Sequence, residues 1–427
     1  MRIVLSLIVL IATAQAFAES GKLVIHEWGT FTSFQDESGR GLPGINADDE
    51  ALPPFVESIP ISYEQSSKFS KAIPRLHPQV TMRLETPVVY FYPPADAKLP
   101  ITLTFSAKFH AGLLTQFFPK ADVSAIARQA NQVVTIDPKS AGTLTWKDVS
   151  IGGDGSLIPT KERVWTAPRE VQSAMLTTAD GKSEKFLFYR GVGNLNAPLM
   201  VTHEKDSVHV KLSPEMNERS DCWPDVESMY LVQIRADGTN AFHRFRQGDG
   251  INLKPNVSTA LFKKTEFGNN LDALRNQMHD SLVIAGLKAD EATAMLNTWE
   301  QSYFKSPGMR LFFLVPQAWT DAVLPITVSE PAEITRVMVG RIEIVTPQQR
   351  EAIQKIAGTK SGKDPDALAA YQGLGRFRDA LLLDAVKQTP QLESFLKEHG
   401  IAFATMGQQP VAMRESTVPR GASPAAK

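Results

Sequence analysis

The chain has a single cysteine, Cys222, which excludes any intramolecular disulfide. An oxidising compartment permits disulfides without requiring them, and 427 residues are enough to bury a core unaided. The surrounding "DCWPD" carries no nucleophile motif, so Cys222 reads as packing at a loop or strand end. Charge of one sign is missing too: 45 Lys and Arg balance 46 Asp and Glu, leaving −1. A sequence-independent nucleic-acid binder needs a basic stripe to neutralise phosphates, so that class is excluded. The same balance offers no attraction to anionic membrane surfaces. Past the N-terminus, apolar runs such as "LFFLVP" at 311–316 fall far short of the ~20 residues of a membrane span. There is no G-x-S-x-G elbow, H-E-x-x-H helix, C-x-x-C-H haem site or EF-hand loop. "GVGN" at 191–194 leads into an extended, proline-bearing run, and "GLGR" at 373–376 has no strand before it. A phosphate cradle needs a strand leading into a helix N-terminus, so no nucleotide cofactor is expected.

What is present starts with an export signal. Arg2, an apolar stretch from Ile3 to Ala12 and Ala16-Phe17-Ala18 match the n-region, h-region and cleavage site of a secretory signal. Residues 1–18 are read as cleaved after Ala18, giving a periplasmic or secreted protein.

From 22 to about 250, β-branched and aromatic runs of period two are broken by Pro, Gly, Asn and Asp. Candidate strands are "KLVIHEW", "PVVYFY", "ITLTFSAKF", "LLTQFF", "GTLTWKDVSI", "KFLFYRG", "APLMVTHE", "SVHVKL", "MYLVQIRA" and "NAFHRF". Asp237-Gly238 supplies hairpin chemistry between the last two. Residues 36–80 read as a long irregular surface segment. In "DEATAMLNTWEQSYF" the residues Ala292, Met295, Leu296, Trp299 and Tyr303 share one helical face, with Asp290 placed to cap it. Extended runs return at "GMRLFFLVP", "AVLPITV" and "ITRVMVGRIEIV". Helices follow near 347–357 and 365–397, the second divided at Gly373 and Gly375. The expected fold is α+β: a β-rich sandwich or open barrel over 19–255, a mixed part over 256–406 packing on it, and a disordered tail from 407 to 427.

"KLVIHEWGTFTSF" places a histidine and a glutamate side by side. On a strand, successive side chains point to opposite faces. His26 therefore shares a face with Val24 and Trp28, and Glu27 with Ile25 and Gly29, so the two cannot grip one ion together. The favoured reading is a half-buried, hydrogen-bonded His26 beside a core Trp28, with any functional partner elsewhere in the fold. The "GT" that follows suggests a bulge. His203 and His209 become opposed cross-strand neighbours only if 205–207 is a three-residue turn, and with His26 they are the candidate metal ligands. A divalent metal is the cofactor this would imply. Arg83 with Glu85, and Tyr189 with Arg190, combine arginine and aromatics near strand ends. That combination suits a carboxylate or sugar platform, against the plainer reading of internal ion pairs tying strands together. In "FFLVPQAWTDAVLPITV", Pro316 ends a strand, "QAWTDAV" reads as a turn, and Asp321 is either catalytic or a turn cap beside Trp319.

The blocks "HEWGTFTSF", "RLETPVVYFY", "KFLFYRGVGN", "PQAWTDAVLP" and "RVMVGRIE" together resemble a family of exported bacterial proteins that share them in this order. The resemblance implies export and no particular chemistry. The leading functional expectation is an exported protein that binds an envelope component or extracellular polymer. The alternative is a metal-dependent hydrolase or oxidoreductase using His26, His203 and His209. A metal-free acid/base enzyme built on Glu27, Arg83, Glu85 or Tyr189 is a third.

Overall fold

A computed structural model describes residues 21–47, 50–61, 76–124, 133–204, 206–217, 228–246, 256–359 and 361–404. Residues 1–20, Cys222, the tail from 407 and, within 36–80, residues 48–49 and 62–75 lie outside the described residues; the rest of 36–80 is irregular but not all surface, since Leu42, Ile45 and Val80 are buried. Strand outweighs helix, 37% to 26%, with strands mostly N-terminal and helices mostly C-terminal. The expected α+β class holds, built on a large mixed sheet that is not a closed barrel.

The principal strands, in chain order, are β1 (Leu23–Gln35), β2 (Met82–Tyr92), β3 (Ile101–His110), β4 (Gly112–Phe118), β5 (Ala141–Ile151), β6 (Leu187–Gly193), β7 (Leu199–Glu204), β8 (Ser207–Leu212), β9 (Ser228–Ile234), β10 (Asn240–Arg246), β11 (Asn256–Ala260), β12 (Gly308–Val315), β13 (Ile326–Val328) and β14 (Ala332–Ile344). The large sheet runs β10, β9, β12, β14, β1, β2, β6, β4, β5, β3, β13, with short strands added along its later part. Strands β7, β8 and β11 form a small separate sheet. At the centre, β1 pairs parallel to β14 and antiparallel to β2. Strands from both sides of residue 255 thus lie side by side in one sheet.

Both faces of the central strands are covered, which is why β1 is buried almost throughout. On the Glu27 face, Ile25 and Phe31 join a core with Leu84, Phe91, Phe105 and Trp146. On the His26 face, Trp28 packs beneath α1 (Leu271–Ile284), α2 (Ala289–Thr298) and a π-helical turn, Glu300–Lys305. Farther along that same face, Phe34 meets Phe377 and the C-terminal helices. These are α4 (Pro347–Gly358), α5 (Pro365–Gly373), α6 (Arg378–Ala385) and α7 (Leu392–Glu398), with α3 (Gln317–Val323) preceding them in the chain.

Several local expectations change. The bulge stands opposite Gly29, but the extra residue belongs to β2. Trp28 faces Val88 and Thr30 faces Glu85, so Thr86 and Pro87 oppose Gly29 alone. A Cβ at Gly29 would lie 3.1 Å from the Pro87 backbone, which is why glycine stands there. "QAWTDAV" is α3 and not a turn; Pro316, at its N-cap, ends the strand and opens the helix. Asp290 sits inside the first turn of α2, with Lys288 at the N-cap. The stretch 365–397 breaks after Gly373, as expected, and again between Ala385 and Leu392 around Pro390. Among the described residues no helix is long and apolar enough to cross a membrane.

Candidate functional site

Alternation along β1 sends its polar side chains into separate clusters. His26 Nδ1 lies 2.8 Å from Glu291 Oε2 and 3.1 Å from Oε1. Glu291, in the first turn of α2, is fully buried, and the helix N-terminus favours its negative charge. The Tyr92 hydroxyl donates to it at 2.6 Å and the Lys288 backbone N–H at 2.7 Å. The Lys288 ammonium rests 3.2 Å from the Tyr92 ring centroid. Burial, then the Glu291 charge, push the Tyr92 phenol far above its ordinary pKa, and burial pulls Lys288 down. Facing a carboxylate, Nδ1 takes the donor role. The half-buried histidine of the sequence reading is in fact 8% exposed, and its partner is 265 residues away.

Glu27 points to the opposite face, as alternation requires. It accepts the Tyr189 hydroxyl and, at 2.5 Å, Arg336 Nε. Arg336 Nη1 continues to Asp321 at 2.7 Å. Asp321 is therefore an ion-pair partner on α3 and not a turn cap. Burial first, then the Glu27 charge, hold the Tyr189 phenol protonated, so it donates. Of Glu27, Tyr189, Arg336 and Asp321, only Asp321 is substantially exposed, with 49% of its side chain reaching solvent.

Between the two helical coverings of the His26 face lies a row of buried charge. Arg83 donates to Glu85 along β2 at 2.9 Å, and Thr32 of β1 donates to the same carboxylate at 2.6 Å. Arg376, between α5 and α6, completes it from above. On β14, Arg341 Nε donates to Glu343 at 2.7 Å, and Arg310 of β12 approaches Glu343 at 3.2 Å. Arg190 donates to Thr86 at 3.0 Å, with its guanidinium 5.7 Å from the Phe188 ring and 5.9 Å from Trp299. The Arg83–Glu85 pair does tie elements together, but within one strand and out to a helix connection. Glu85 feels opposing pulls: burial raises its pKa, while Arg376 and Arg83 overrule that and hold it well below the usual carboxylate range. Arg83, Arg190 and Tyr189 are buried, as the plainer reading of internal pairs has them.

The histidines do not assemble. Glu204 pairs with Ser207 across a two-residue turn, so His203 faces Val208 and His209 faces Thr202. That register places the two on opposite faces and removes the shared ligand geometry. The small sheet attaches near Gln35, which bonds Leu199 and Val201. Gln35 is nine residues from His26 along one strand, about 30 Å at ~3.3 Å per residue. Among the described residues no three His, Cys, Asp or Glu side chains converge as a metal site.

An open site does form where β9 and β12 meet the start of α4. A pocket of about 400 Å³ is lined by Gln233, Arg235, Phe262, Phe267, Met309 and Gln348, among others. Arg235, at the end of β9, stacks with its guanidinium carbon 3.3 Å from the Phe267 ring centroid. Phe262 packs edgewise on Phe267 at 6.0 Å and lies tilted against His243 at 4.5 Å. Among the described residues the Arg235 guanidinium has neither a hydrogen bond nor an ion pair. The nearby carboxylates take their hydrogen bonds elsewhere: Asp237 accepts the Thr239 hydroxyl and N–H while feeling the Arg235 charge, and Glu266 accepts from His243 and the Lys263 N–H. Arginine and aromatic surface thus meet at a strand end, the chemistry considered at Arg83 and Arg190, but at an arginine the sequence reading used only in a hairpin and at two phenylalanines it did not use. The available signal was an arginine and two phenylalanines flanking strands β9 to β11, with no period to link them.

Comparison with protein-family models finds no match, and comparison with curated proteins finds none either.

Proposed function

We propose that this is an exported protein that binds a segment of an envelope component or extracellular polymer in the pocket beside β9 and α4. The pocket carries the reading: its ~400 Å³ falls within the ~300–1,000 Å³ of ligand sites. Its walls are mostly apolar and aromatic, with Gln233, Gln348 and Arg235 as polar contacts, the usual division between affinity and orientation. The signal-like N-terminus supports export. Phe267→Ala is expected to weaken binding to a glycan panel about 10-fold, the loss of one aromatic contact and the arginine it positions. Calorimetry reads this directly, and since Phe267 is partly exposed, its melting temperature should stay near wild type. Equal binding by the variant and the parent would remove the pocket from the reading.

A second reading has one observation in its favour, the His26–Glu291 dyad. A buried carboxylate orients the imidazole through Nδ1, an arrangement that general bases use. If this dyad is catalytic, His26→Gln and Glu291→Gln should each lower hydrolysis of activated esters by about 100-fold or more. A wild-type rate no faster than buffer across pH 5–9 would dismiss it.

A further inference from the structure

We propose that the ligand of the β9–α4 pocket is a saccharide ring bearing an anionic substituent, with Arg235 as the group that takes the anion. The inference rests on the binding reading above and adds the ligand's chemistry. Arginine presents a planar fork of donors that matches the two oxygens of a carboxylate, and it is always charged. Stacking on Phe267 holds that fork in place before any ligand arrives, so little rotamer entropy remains to be lost on binding. Internal neutralisation is only partial: Asp237 feels the Arg235 charge but makes no ion pair with it and accepts from Thr239, while Glu266 accepts from His243 and the Lys263 N–H. A wholly apolar ligand would strand this cation against a dry surface at a desolvation cost. A neutral ring would leave its donors to water. A ring with one anionic arm satisfies the guanidinium. Its carbon-bound hydrogens rest on the partly exposed Phe262, and its hydroxyls meet the amides of Gln233 and Gln348.

The test is titration calorimetry of the full chain with a uronate oligosaccharide, a sulfated one, their neutral counterpart and free acetate. The expected result is that an acidic saccharide binds more tightly than the neutral one and that acetate binds least. Preference between uronate and sulfate identifies which anion the fork accepts. Arg235→Gln should weaken the acidic ligand by about 10- to 100-fold, the range for a hydrogen bond to a charged group, and leave the neutral one within about 2-fold. Raising the salt from 0.1 to 1 M should weaken the acidic ligand alone. Equal affinity for acidic and neutral saccharides, with Phe267→Ala still harmful, overturns this inference and leaves the pocket reading standing. No binding by any saccharide overturns both. Should Arg235→Gln lose its fold, Arg235→Lys decides instead: charge is kept and the fork is lost, so an acidic ligand must weaken measurably or the assignment of the fork fails.

Discussion

Arg336→Met should lower the unfolding free energy by about 3–5 kcal/mol, the usual result of removing one partner from a buried ion pair. Arg336 and Glu27 expose 1% and 0% of their side chains, and Tyr189, itself buried, is the other donor to that carboxylate. Without the guanidinium, Glu27 must either remain charged in an apolar core or take up a proton. Either route is unfavourable, and the first is the costlier. The loss should appear in guanidinium melts as a lower midpoint with an unchanged slope, since the surface exposed on unfolding is the same. The double replacement Glu27→Leu with Arg336→Met should recover most of it. Two desolvated charges are exchanged there for apolar contacts, which is often neutral or favourable. A single-variant loss under about 1 kcal/mol would mean that water reaches the pair past Asp321, and the buried-pair account would fail.

The second large effect belongs to Glu85. Its carboxyl titrates well below its ordinary value because Arg376 and Arg83 outweigh burial. A carboxylate depressed in the folded state takes up its proton first in the unfolded chain as pH falls. Its contribution is therefore complete above about pH 5, begins to go as pH passes the unfolded value near 4.5, and is gone below the folded value. Glu85→Gln should cost about 3–5 kcal/mol at pH 7 and should flatten the fall in stability below pH 4.5. Urea midpoints measured from pH 7 to pH 3 separate the two claims. Parallel curves for parent and variant would show that another carboxylate governs the acid limb.

Much of the architecture was legible because it is local. The candidate strands from "KLVIHEW" to "NAFHRF" all appear, since alternation along a strand is a local pattern, whereas of "AVLPITV" only Ile326–Val328 is strand. The α3 segment was misread because a seven-residue helix offers too little period to distinguish it from a turn, although Pro316 stood at its start. The histidine pairing failed on a single turn residue: with two residues in the turn, every side chain of β8 moves to the other face relative to β7. Arg336, Arg341 and Glu343 carried a signal that went unused. Charges inside a long apolar run are seldom buried without a partner, so "ITRVMVGRIEIV" called for carboxylates and cations elsewhere.

The site residues divide along the same line. Alternation alone determined that His26 and Glu27 serve opposite faces, and the structure keeps them apart in that way. It also determined that Arg341 and Glu343 share a face while Arg336 does not. Which partners they meet was decided only by tertiary packing. Glu291 reaches His26 across 265 positions and Arg336 reaches Glu27 across 309. No propensity or period spans such distances; they are set by the insertion of β14 beside β1 and the docking of α2 over the sheet. The pocket is the extreme case. Arg235, Phe262, Phe267 and Gln348 have no common pattern in the chain, and only the meeting of β9, β12 and α4 makes them one surface. Side-chain direction is a property of a few adjacent bonds, whereas a binding site is a property of how whole elements pack.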